Sequence, residues 1–189
     1  MTAAVADVGM PSVSSGTSTP AAPAVDLPKK GDRLLSAERE ALKLALQQPA
    51  EVAGAYEGLE TSVFTHTAYA AVHDAIMAAG GPASAGQGGA AWVAQVREQL
   101  PVAALSSLAS ELANERMIKG VLGPDPIYAG SIMASLAERA VAVQIKDLGA
   151  ELKRAESGGD AAWRAQVQAD LFALQQYRRA LVDRANRQN

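Results

Sequence analysis

The chain has 189 residues, of which 49% are apolar, and its formal net charge is −3. Alanine supplies 41 of the 92 apolar residues, leaving 51 large apolar side chains (92 − 41) for a core; this composition favours small helical units and argues against a β-sandwich. The absence of cysteine excludes disulfides, thiolate chemistry and cysteine-ligated zinc.

No stretch approaches the roughly 18 uninterrupted apolar residues of a membrane span. Met1 to Met10 lack the basic and leucine-rich regions of a secretory signal, so the expected compartment is the cytoplasm. Charge is unevenly distributed: residues 34–150 carry twelve acids and seven bases, and residues 151–189 five acids and seven bases. A general nucleic-acid binder would show a broad basic face, so direct nucleic-acid binding is expected to be weak or absent.

Residues 1–33 alternate Pro11, Pro20, Pro23 and Pro28 with serines and threonines and show no apolar period, which predicts a flexible linker. A helix is expected from Ser36, as N-cap, to about Gln48, with Leu35, Leu42 and Leu46 on one face. Pro49 ends it and opens a short helix to Glu57, stopped by Gly58. Thr65 is the expected cap of a third helix carrying Tyr69, Val72, Ile76 and Ala79, which Gly80-Gly81-Pro82 terminates. A glycine-rich loop to Gly89 follows, then a helix with Trp92, Val93 and Val96, and after Pro101 another with Leu105, Leu108 and Leu112. Asp125-Pro126 starts a long helix to about Ala155, with Val141, Ile145, Leu148 and Leu152 spaced four, three and four apart. Ser157-Gly158-Gly159 forms a turn, Asp160 caps again, and Trp163, Val167, Leu171, Leu174 and Leu181 carry a last helix towards the C-terminus. The expected fold is all-α: a helical bundle over 34–125, then a long helix and antiparallel hairpin over 126–189. The outer end of such a hairpin lies beyond the bundle core, which suits a docking surface; a plain coiled hairpin is the competing reading.

Signals for catalysis are missing. His66 and His73 stand about 10 Å apart along one helix, too far for one metal, and structural or surface roles are expected for both. The Gly80–Gly89 stretch lacks the Gly-Lys-Ser/Thr ending of a phosphate loop, and no Asp-x-Asp pair occurs. Glu38 and Glu40 fall on different sides of their helix, which argues against paired acid–base work. No catalytic, metal or cofactor-binding residue is assigned.

Several strings in order, Glu38-Arg39-Glu40-Ala41-Leu42-Lys43, Phe64-Thr65-His66, Tyr69-Ala70-Ala71-Val72, Asp125-Pro126-Ile127-Tyr128 and Leu171 to Leu181, resemble the C-terminal domain of bacterial DnaG-type DNA primases, in their actinobacterial variety. The resemblance covers about residues 34–187, with Thr67 standing where the family strings carry proline. It implies a helical bundle and hairpin that dock on the replicative helicase of the DnaB type, bringing primase to the replication fork for RNA primer synthesis. A contact with the acidic tail of single-stranded DNA-binding protein is also implied. The family's zinc-binding and polymerase parts have no counterpart here, so the chain looks like the C-terminal domain with its preceding linker, as a fragment or split product, and no primer synthesis is expected from it alone. Within that reading, Gln175, Tyr177, Arg178, Arg179 and Arg184 are the candidate partner-binding residues, because tyrosine and arginine are enriched at interface hot spots; Tyr177 equally fits a place in the hairpin seam. The alternative is an independent helical adaptor or dimerising coiled hairpin without a replication role.

Overall fold

Nine consecutive residues of the first helix, Glu38 to Leu46, are buried, so this helix is walled in on every side. In the computed structural model, which describes residues 25–117, 125–156 and 161–186, it forms α1 (Ser36–Gln47), the axis of the molecule. Around it pack α2 (Pro49–Tyr56), α3 (Thr67–Ala78), α6 (Ala103–Asn114) and the start of α7 (Pro126–Glu156). The short α4 (Gly81–Ser84) lies against α2 and α3, and α5 (Ala90–Glu98) against α3 and α6. Helix α8 (Ala161–Asn186) runs back along α7. The fold is all-α, as expected from the sequence.

Three local expectations are corrected. Ser36 is the first residue of α1 and not its cap; Asp32 instead caps a preceding 3-10 turn, Arg33–Leu35, by accepting from the Leu34 amide at 2.9 Å. Thr65 does not cap α3 either. His66 does so through its own ring, whose Nδ1 accepts from the Ala68 amide at 3.2 Å, while the Thr65 hydroxyl donates to Glu38 at 2.6 Å. The glycine-rich loop contains α4, which begins directly after Gly80, in the left-handed region at φ 103°, has closed α3. Gly88 is needed at its place because a Cβ there would stand 2.9 Å from Pro49 Cδ. Asp125 does start α7 as expected, accepting from the amides of Ile127 (3.1 Å) and Tyr128 (2.9 Å).

The main core joins Leu42, Leu46, Tyr56, Tyr69, Val72, Ile76, Trp92, Val96, Leu108 and Leu112, and it extends onto α7 through Tyr128, Ala129, Met133 and Leu136. Trp92 ties α5 to α1 by donating from its indole to the Ala45 carbonyl at 3.0 Å. A second, small cluster of Ala134, Val141 and Leu181, flanked by Ile145 and Leu174, closes the hairpin beside the bundle. Farther out, Val167 is buried, whereas Leu148, Leu152 and Leu171 are half-buried. The hairpin seam is thus closed at its base and again at Val167, with half-buried leucines along the rest of its length. Residues 1–24 of the expected linker, the 157–159 turn and its Asp160 cap lie outside the described residues. Just before the first helical turn, Val25 rests on the core and Lys30 pairs with Glu111 at 3.3 Å.

Candidate functional site

A helix that is buried all round carries charged residues only if each finds a partner, since an unpaired buried charge is far too costly. Glu38, Arg39, Glu40 and Lys43 of α1 meet that demand with groups from three other helices and the turn before α3. The Arg39 guanidinium donates to Tyr69 Oη at 2.9 Å and to Glu115 at 2.9 Å, and it also pairs with Glu111. Lys43 pairs with Glu40 and donates to the Arg116 carbonyl at 2.9 Å, while Gln47 donates to the Leu112 and Glu115 carbonyls at 2.6 and 2.8 Å. Together, Lys43 and Gln47 satisfy carbonyls at and beyond the end of α6 that have no helical partner. The Arg39 hydrogen bond holds the Glu115 carboxyl down to about 2, and the same pairing raises Arg39 above its ordinary value. Glu38 accepts from Thr65 and faces Arg139 of α7 at 3.6 Å; Glu40 accepts from the Tyr128 hydroxyl at 3.0 Å. The two carboxylates therefore take different partners, and the cluster serves structure.

The histidines are structural as well. His73 is buried, stacks on Phe64 with ring centroids 4.7 Å apart and shares a 3.0 Å hydrogen bond with Tyr56, and burial lowers its pKa. Among the described residues no group of three or more histidine, aspartate or glutamate side chains could hold a metal, and no helix is long and apolar enough to cross a membrane.

The candidate partner-binding residues all lie on α8 and are all exposed, but they fall on two sides of it. Gln175, Arg178 and Arg179 line a groove of about 390 Å³ with Val182 and Asp183 of α8 and Ile145 of α7. Tyr177 and Arg184, seven residues and two turns apart, face the other way, into a cleft of about 230 Å³ floored by Gly54, Ala55, Gly58, Gly130 and Ala134. Tyr177 is thus a half-exposed cleft residue at the flank of the seam, lining the cleft with Ala134 and Leu181. Arg178 donates to Glu138 of α7 at 2.6 Å, across the seam and at the edge of the groove.

The residues alone did not single out Phe172 and Val182. Phe172 is 64% exposed and Val182 37%, and with Gln175 and Arg179 they form one stripe at steps of three and four along α8. Their available signal was a large apolar residue off the 167–171–174–181 seam. A helix that buries one apolar edge against its partner and leaves a second, arginine-flanked edge in solvent has the composition of a protein-docking surface.

Comparison with known proteins gives the chain its family. Residues 38–171 match the family model described as DNA primase DnaG DnaB-binding, and the chain belongs to that family. It is 39% identical over 163 residues to the DNA primase of Streptomyces coelicolor, covering 85% of this chain and 25% of that protein. With the DNA primase of Mycolicibacterium smegmatis it shares 36% over 167 residues, 88% of this chain and 26% of that protein. The chain therefore spans about a quarter of the curated relatives it matches. Its fold matches the helicase binding domain of primase from Mycobacterium tuberculosis with a TM-score of 0.66 and 38% identity, over 80% of this chain and 92% of that one. The match falls on the DnaB-binding part of a primase, not on its catalytic domain.

Proposed function

We propose that this chain is the module by which a DnaG-type primase docks on its replicative helicase, and that the outer stripe of α8 is the docking face. The carrying observation is the Phe172–Gln175–Arg179–Val182 stripe beside the Ile145 groove, an apolar strip with a guanidinium in its middle on the side of α8 away from the Tyr177 cleft. Family membership and the likeness to a solved helicase binding domain support the choice of partner. Gln175 and Arg179 touch the helicase directly in this reading, Arg178 holds the groove edge through Glu138, and Tyr177 and Arg184 offer a second contact on the α2 side.

In this reading residues 34–125 are the supporting bundle and 126–189 the docking hairpin, whose first helix is seated in the bundle core through Tyr128, Met133 and Leu136. Primer synthesis belongs to other parts of the primase, and the module's place of action is the cytoplasmic replication fork. The direct test is co-elution of the chain with its cognate replicative helicase on a sizing column. A shared peak that Phe172→Ala weakens is expected; separate peaks at about tens of micromolar of each folded partner would contradict the proposal.

A further inference from the structure

The direction of a long helix is set by where it is held. Helix α7 touches α1 through polar groups at two places. Near its start, the Tyr128 hydroxyl donates to Glu40 at 3.0 Å; the tyrosine is 3% exposed and the glutamate 1%. Three turns later, Arg139 donates to the Leu34 carbonyl at 3.1 Å and faces the fully buried Glu38 at 3.6 Å. Residues 128 and 139 fall on the same edge of α7, about 16 Å apart along its axis. Between them the contacts with the bundle are apolar, through Met133 and Leu136, and such contacts tolerate sliding far better than a hydrogen bond does.

We propose that Tyr128 and Arg139 are positioning residues, pinning α7 to α1 at two points and so setting the direction in which the hairpin presents its docking face. The lever is unequal. Glu156 lies about 42 Å from Tyr128 along the helix, so 1 Å of movement at Arg139 becomes about 2.5 Å at the far end. The chemistry of α1 makes it a firm base. Glu40 is also paired with Lys43, and Glu38 accepts from Thr65, so each acceptor is itself held in place. The family string at Glu38 to Lys43 thereby acquires a task, since two of its buried carboxylates aim an element that begins some 90 residues later in the chain. The aim matters for docking only through the reading given above, but the positioning itself is independent of any partner.

The lack of cysteine makes the test clean, because two introduced cysteines are the only labelling sites in the chain. Spin labels at Gln95→Cys on α5 and Gln168→Cys on α8, both exposed, report the distance between bundle and hairpin by pulsed electron resonance. The parent is expected to give one narrow distance distribution. Tyr128→Phe keeps the buried ring and removes only the hydroxyl, and Arg139→Gln alters a partly exposed side chain, so both variants retain the core. Each is expected to broaden the distribution or add a second distance, as loss of one hydrogen bond to a charged or buried group shifts such an equilibrium by about tenfold or more. Arg139→Lys, which unlike Arg139→Gln keeps the positive charge facing Glu38 as well as a donor for the Leu34 carbonyl, is expected to preserve the parent distance. Parent-like distributions in both Tyr128→Phe and Arg139→Gln would overturn the proposal, as would equal broadening in Arg139→Lys and Arg139→Gln. Helicase binding by the same proteins is read separately: an unbroadened chain that fails to bind counts against the docking face, whereas a broadened variant that binds less tightly supports both.

Discussion

At Glu115 the Arg39 guanidinium stabilises the charged carboxyl, which holds it down to about 2 from the ordinary 4.5. A carboxylate lowered on folding contributes stability that is complete above its unfolded value and disappears as the pH falls through its folded one. The window here is roughly pH 4.5 to 2. Thermal unfolding followed across that window is expected to show Glu115→Gln, already less stable at neutral pH, losing less on acidification than the parent; parallel profiles would remove Glu115 from the acid response. Arg178 invites a different expectation. Its pairing with Glu138 is half in solvent, and exposed pairs contribute about 0.2–1 kcal/mol, so Arg178→Ala should cost the fold under about 1 kcal/mol in a denaturant titration. A larger loss would mean that the pair sets the register of the hairpin.

Among the elements, α7 belongs to two packing systems. Leu136 is fully buried in the bundle core, whereas Leu174 is only half-buried against the hairpin's own seam. Leu136→Ala should therefore cost about 2–5 kcal/mol and Leu174→Ala about 1 kcal/mol, read from denaturant midpoints. Near-equal losses would show that bundle and hairpin unfold as one evenly packed unit. The helices themselves were largely legible in the sequence, because Pro49, Gly80, Pro101 and Asp125-Pro126 punctuate the chain and the apolar spacing between them is helical. Caps were less so. Ser36 and Thr65 are good capping types, but Asp32 and His66 occupy the places where the backbone actually turns. The burial of Glu38, Arg39, Glu40 and Lys43 was not readable from local pattern at all, since four charged side chains within six residues ordinarily mark a solvated face. Their partners, Tyr69, Glu111, Glu115, Tyr128 and Arg139, are distant in the chain, and only the tertiary fold brings them together.

For the whole molecule, the bundle gives α7 a fixed base and the hairpin carries an apolar-and-arginine stripe away from it. That the five candidate residues share one helix was legible, and all five lie exposed on α8. Their division between a groove and a cleft was not, because it depends on which side of α8 lies next to α2. The central claim is that the groove side receives the replicative helicase. It is tested most directly by titrating the cognate helicase with the 189-residue chain and with its Arg179→Glu variant, alongside thermal unfolding of both. Saturable binding by the parent is predicted, weakened about thirtyfold or more by the charge reversal, as befits a hot spot of about 2 kcal/mol, while the unfolding temperature stays the same. Equal affinity of parent and variant for the helicase would contradict the account.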